Sequence, residues 1–175
     1  MEQICRMQSI NLDQPSLQNS GVTNQDDIRL EVAGPPQLGD LLTLVTAYHL
    51  FEEISLSADI RERSIERLLN DGTLGEVFLI RKSDHLIGYI VVCFGYSIEF
   101  GGREIVIDEL YIEAPECDMG VGSEVLGKLK KLMRARDVVA IQLEVGQQND
   151  RAKSLYMKSG FLHRDKYQLM TIALK

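Results

Sequence analysis

Apolar and polar residues alternate with period two over Ile28-Arg29-Leu30-Glu31-Val32-Ala33, the signature of a strand with one face toward a core. The period then lengthens. After Pro35-Pro36, residues 38–54 place Leu41, Leu44, Val45, Tyr48 and Phe51 on one helical stripe. Ser57 stands as N-cap to a second helix over 58–71, which carries Ile60, Ile65, Leu68 and Leu69 and stops at Asp71-Gly72. Three strands come next, 76–81, 86–97 and 103–112. The polar turn Lys82-Ser83-Asp84-His85 and the pair Gly101-Gly102 join them as hairpins. A helix over about 119–136 has Val121, Val125, Leu126, Leu129, Leu132 and Met133 at helical spacing. Residues 140–145 alternate as a strand, Asn149 or Asp150 caps a short helix over 152–159 closed by Gly160, and 166–174 read as a last strand.

These elements predict an α/β (α+β) domain over 27–175, with a mixed, mostly antiparallel central sheet of about six to seven strands flanked by helices. The helical crossover between strands 103–112 and 140–145 calls for a parallel pair there. Residues 1–26 are rich in Gln, Asn, Ser and Asp with apolar residues singly placed, and read as a poorly ordered extension.

Composition narrows the function classes. The chain has 175 residues, 45% hydrophobic and 26% charged, enough for one domain with a real core. A net charge of −7 disfavours nucleic acid and anionic membrane as partners and tolerates a cationic substrate. Cys5, Cys93 and Cys117 form no CxxC pair, which suits a reducing, cytoplasmic setting better than a disulfide framework or structural zinc. His49, His85 and His163 lie in unlike contexts, so no metal site is expected. No apolar run is long enough to span a membrane, and the N-terminus lacks a secretory pattern.

The stretch with most chemistry is Cys117-Asp118-Met119-Gly120-Val121-Gly122-Ser123. A glycine-rich entry to a helix presents unpaired N–H groups at the positive end of the helix dipole, an anion site. A dinucleotide fingerprint fails because Val125 stands where the third glycine belongs, and a nucleotide P-loop fails because Gly127-Lys128-Leu129 lies within the helix. What remains is strand, short loop, Gly-x-Gly, helix. The carboxylate of Asp118 is the competing occupant, as a helix cap in place of a phosphate.

In this respect the sequence resembles the GNAT superfamily of acetyl-CoA-dependent N-acetyltransferases. Gly120-Val121-Gly122 matches the glycine half of that family's Arg/Gln-x-x-Gly-x-Gly/Ala loop. The preceding strand at 107–112, the helix from 123 and the block 148–161, with its Asn, Tyr and Gly-Phe, follow in family order over 28–175. The resemblance departs at Cys117, Asp118 and Met119, where the family has Arg or Gln, often glycine, and often a basic residue. Repulsion from one partly exposed carboxylate costs about 1 kcal/mol, so the departures weaken an anion site without removing its backbone donors.

The resemblance implies roles. N–H groups of residues 119–123 would hold the CoA diphosphate, and pantetheine would pair like an extra strand with Leu110, Tyr111 and Ile112. The N–H of Leu110 would polarise the thioester carbonyl. Tyr156 would protonate the departing thiolate, unless it is an ordinary core aromatic. Asn149 would contact the CoA arm or cap its helix. Asp108 and Glu109, adjacent on a strand and so on opposite faces, are the candidates for the base that frees the amine, Asp108 first. Their pairing is similar to that of polyamine acetyltransferases, which tilts the expected acceptor, a small-molecule or peptide amine, toward a cation. A homodimer is in keeping with the superfamily. The rival expectation is a catalytically impaired GNAT-like module that binds CoA or a protein partner.

Overall fold

A computed structural model describes residues 27–117 and 119–174; the extension expected over 1–26 lies outside the described residues. Five strands stand side by side in chain order: β1 (Ile28–Val32), β2 (Gly75–Lys82), β3 (His85–Ser97), β4 (Gly102–Ile112) and β5 (Val138–Leu143). The first four pair antiparallel, and β4 pairs with β5 in parallel, as the crossover through α3 (Val121–Arg134) requires.

β2 and β3 read as nearly unbroken apolar runs because both their faces are covered. Phe78, Ile80, Ile90 and Val92 face one core, where Val125, Leu126, Leu129 and Met133 of α3 meet them. The alternate residues Val77, Leu79, Tyr89 and Val91 face a second core under α1 (Leu38–Phe51) and α2 (Ala58–Asn70). Each large side chain sealed this way stabilises the fold by about 1.5–3 kcal/mol relative to exposure. The shorter α4 (Asp150–Lys158) packs its Leu155 and Tyr156 against the α3 side.

The decisive irregularity is in β4. Val91 lies opposite Glu109 but Val92 lies opposite Ile107, so Asp108 is the extra residue of a β-bulge. The bulge inverts the alternation. Before it Ile105 and Ile107 face α3; after it Leu110 and Ile112 do, while Glu109 and Tyr111 turn to the α1 side. Pairing with β5 ends at the same place, on Ile107 and Leu143, and from there the two strands part.

The strand count is a correction. Five strands are found among the described residues, fewer than six to seven, because 166–174 pairs with nothing as a strand and is exposed throughout. Arg164 explains where the chain goes instead. Its guanidinium donates to Glu99 at 2.6 Å at the β3–β4 hairpin and lies 4.5 Å over the Tyr167 ring, and the backbone N–H of Tyr167 donates to the Arg164 carbonyl. That turn holds the chain at the hairpin tip, and the alternation beyond it joins no strand of the sheet among the described residues.

Candidate active site

Where β4 and β5 part, they open a cleft of about 710 Å³, within the usual range for a small-molecule site. Its walls are β4 at Asp108 and from Leu110 to Ile112, residues 143–146 at the end of β5 and just beyond it, the start of α3, one side of α4, and Tyr48, Phe51 and Glu52 at the end of α1.

Backbone direction on β4 follows from one bond. The Glu113 N–H reaches the Ile87 carbonyl at 2.8 Å, so the odd residues Tyr111 and Glu109 direct their backbone groups at β3. By alternation the N–H groups of Leu110 and Ile112 point the other way, into the cleft, where β5 no longer meets them. An extended chain laid there would find a strand edge ready to pair.

At the mouth of α3, Gly120 adopts φ +81°, and this left-handed residue turns the chain into the helix without offering a capping side chain. The first intrahelical bond is Glu124 N–H to the Gly120 carbonyl, which leaves the N–H groups of Val121, Gly122 and Ser123 outside the helical ladder. Gly120, Gly122 and Ser123 line the cleft, whereas the Val121 side chain is buried in the core and Met119 is exposed. A Cβ on Gly122 would come within 3.0 Å of Leu155 on α4, so the glycine also lets the two helices close up. Cys117 lines the cleft, and its thiol points at the carbonyls of Ile112 and Glu113 at 3.8 and 3.6 Å. Asp118, the competing occupant of the turn, lies outside the described residues. Arg151 and Lys158 of α4 supply cationic lining. Glu116, which lines the cleft before the turn, is paired with Lys82 at 3.0 Å.

The two candidate bases part company. Asp108 lines the cleft, and its carboxyl is pushed above the ordinary range, first by desolvation and then by Glu109 and Glu144, with His49 opposing. Glu109 lies on the α1 side. Its Oε1 is 2.7 Å from His49 Nε2 and its Oε2 accepts from the Tyr89 hydroxyl at 2.6 Å.

Tyr156 lines the cleft and also packs on Phe161, with ring centroids 5.7 Å apart. Burial and then Glu52 raise its phenol, which therefore holds its proton at neutral pH. The residue thus packs as a core aromatic and also lines the cleft. Asn149 caps α4, its Oδ1 accepting from Ala152 N–H at 3.0 Å, and lines the cleft as well.

Sequence reasoning missed Glu144 as a lining residue and His49, Tyr89 and Arg61 as a polar group beneath β4. His49 carried a signal: it follows Leu41 and Val45 at i+4 steps, on the buried stripe of α1.

The profile of the acetyltransferase (GNAT) family matches residues 43–161. The chain belongs to that family. It is an N-acetyltransferase that moves an acetyl group from acetyl-CoA to an amine, and the impaired binding module is not favoured. Solved structures agree on the fold. An integron cassette protein from the mobile metagenome of Cole Harbour Salt Marsh is 24% identical with a TM-score of 0.72, over 83% of this chain and 90% of that one. A possible acetyltransferase from Clostridium difficile 630 is 18% identical with a TM-score of 0.73, over 85% and 98%. A predicted acetyltransferase from Clostridium acetobutylicum, solved with acetyl-CoA, is 16% identical with a TM-score of 0.67, over 83% and 96%. No curated protein sequence matches the chain.

The residues of the cleft fit acetyl-CoA: an open strand edge on β4 for an extended amide chain, and orphan N–H groups with cationic lining for its phosphates. No helix among the described residues is long and apolar enough to cross a membrane.

Proposed function

We propose that the acceptor of this acetyltransferase is a small cationic amine and that Asp108 takes its proton. The observation that carries the reading is the position of Asp108 at the bulge, in a cleft that also presents Glu52 and Glu144. A polyamine-like or aminoglycoside-like ammonium would be drawn to these carboxylates, and the raised Asp108 carboxyl is a stronger base than an ordinary one.

Bound acetyl-CoA supplies an activated thioester carbonyl. The chain's part is then fourfold. N–H groups of Val121 to Ser123 hold the diphosphate, aided by Arg151 and Lys158. The Leu110 N–H, aimed into the cleft, donates to the thioester oxygen. Asp108, directly or through water, removes the ammonium proton so that the nitrogen can attack. Tyr156 gives its proton to the departing sulfur, and the second proton that the nitrogen sheds on forming the amide restores the phenol. Homodimerisation finds support in the outer edge of β5, which pairs with no strand among the described residues, and in the exposed apolar residues Ile98, Leu169, Met170 and Ile172.

The test has two arms. Isothermal titration should give a one-site acetyl-CoA isotherm; no heat at millimolar cofactor would sink the diphosphate site. Thiol release should then favour spermidine and kanamycin over glycine, an alanyl peptide and glutamate. Preference for an anionic or neutral amine would overturn the cationic acceptor. Sedimentation velocity reports the dimer.

A further inference from the structure

Beneath the bulge runs a buried polar chain that the transfer steps do not use. Arg61 on α2 donates its Nε–H to His49 Nδ1 at 3.1 Å and its Nη2–H to the Leu56 carbonyl at 3.1 Å. His49 on α1 is 5% exposed, and its Nε2 meets Glu109 Oε1. Tyr89 on β3 donates to Glu109 Oε2. Arginine has donors and no acceptor, so Nδ1 of His49 accepts and its ring hydrogen sits on Nε2. The direction of every bond follows from that. His49 donates to Glu109, both carboxylate oxygens accept, and three elements, α1, α2 and β3, are tied to the β4 residue that follows the bulge.

A bulge residue has no ladder partner to set its direction, so its neighbours must. We propose that Arg61, His49 and Tyr89 lock Glu109 as a positioning residue, which anchors the β4 bulge and keeps Asp108 turned into the cleft. Glu109 itself takes no proton from the substrate. The proposal rests on Asp108 as the base and adds what holds it. Its electrostatic corollary is that the Glu109 charge keeps Asp108 basic. Asp108 is faced by Glu109 on its own strand, Glu144 beyond β5, His49 and Tyr48 from α1, and Cys93 from β3. Among these Glu109 is the largest charge effect raising it.

The experiment measures pH profiles of kcat/KM with acetyl-CoA and whichever panel amine is turned over fastest. E109Q is expected to lower kcat about tenfold, leave the acetyl-CoA KM within about twofold, and move the acidic limb to lower pH. D108N should abolish that limb, and Y89F should lower kcat with the limb in place. If E109Q abolishes the limb while D108N keeps it, Glu109 is the base and the proposal falls. If E109Q matches the parent in rate and limb, no positioning role exists. Should D108N and E109Q both keep the limb unmoved, the Asp108 reading fails with it; a lowered kcat with an unmoved limb in E109Q alone overturns the electrostatic corollary and supports the positioning role. A measurement on the parent chain avoids dependence on variant folding: nitrogen-15 NMR should show His49 as the Nε2–H tautomer. Finding the hydrogen on Nδ1 would overturn the network.

Discussion

Asp108 shows how one residue's activity and stability oppose each other. Folding raises its carboxyl above the unfolded value, so the folded chain holds that proton more tightly than the unfolded one. The stability this contributes is present at low pH and is lost as pH rises through the raised value. Asparagine carries no charge to desolvate. D108N is therefore expected to lower kcat by about 10²–10⁴-fold while raising Tm slightly at pH 7, a small gain because cleft solvent reaches the side chain. Stopped-assay rates and a thermal melt check both halves. Tyr156 divides differently. Y156F keeps the ring against Phe161, so Tm should stay within a degree or two while kcat falls about 10²-fold, with acetyl-CoA affinity in titration nearly unchanged. A kcat left intact would assign the proton of the departing sulfur to another donor.

Among the elements, α3 and β4 matter most, through their irregular ends. The start of α3 turns on Gly120, where a Cβ would meet nothing within 4 Å but φ is +81°. G120A thus isolates backbone strain. It should cost about 1–2 kcal/mol in a denaturant melt and weaken acetyl-CoA in titration, since relaxing φ would misdirect the N–H groups of Val121 to Ser123. Helix α3 itself was legible from its apolar spacing, whereas the sequence left the cap of α4 open between Asn149 and Asp150 and the structure gives it to Asn149. The bulge was not. Strict alternation along 103–112 correctly sets Asp108 and Glu109 on different sides, but an inserted residue inverts the phase only when β3 is laid against β4, and one strand's sequence does not hold its partner's register. The same holds for Glu144, which joins the cleft because β5 stops pairing one residue earlier.

For the whole molecule, the edges of the sheet have a direct readout. Residues 162–174 are exposed, and Leu162, Met170, Ile172 and Leu174 are at least 82% so, while β3 and β4 are paired on both sides over much of their length. Hydrogen exchange in dilute solution should be fast over 168–174 and slow over Ile90–Val92 and Ile105–Ile107. Protection of the tail that grows with protein concentration would mean that a second copy supplies its ladder.

What the sequence determined by itself is local: periodicity set each helix and strand up to β5, the crossover set the parallel pair, and Gly120 set the turn into α3. These follow from backbone geometry and side-chain burial within a few residues, which a linear pattern records. Tertiary structure decided the rest. It left 166–174 off the sheet, placed Asp108 in a cleft and sent Glu109 to His49 and Tyr89, because register, strand separation and ion pairing depend on groups as many as 60 positions apart that meet only when the sheet is assembled.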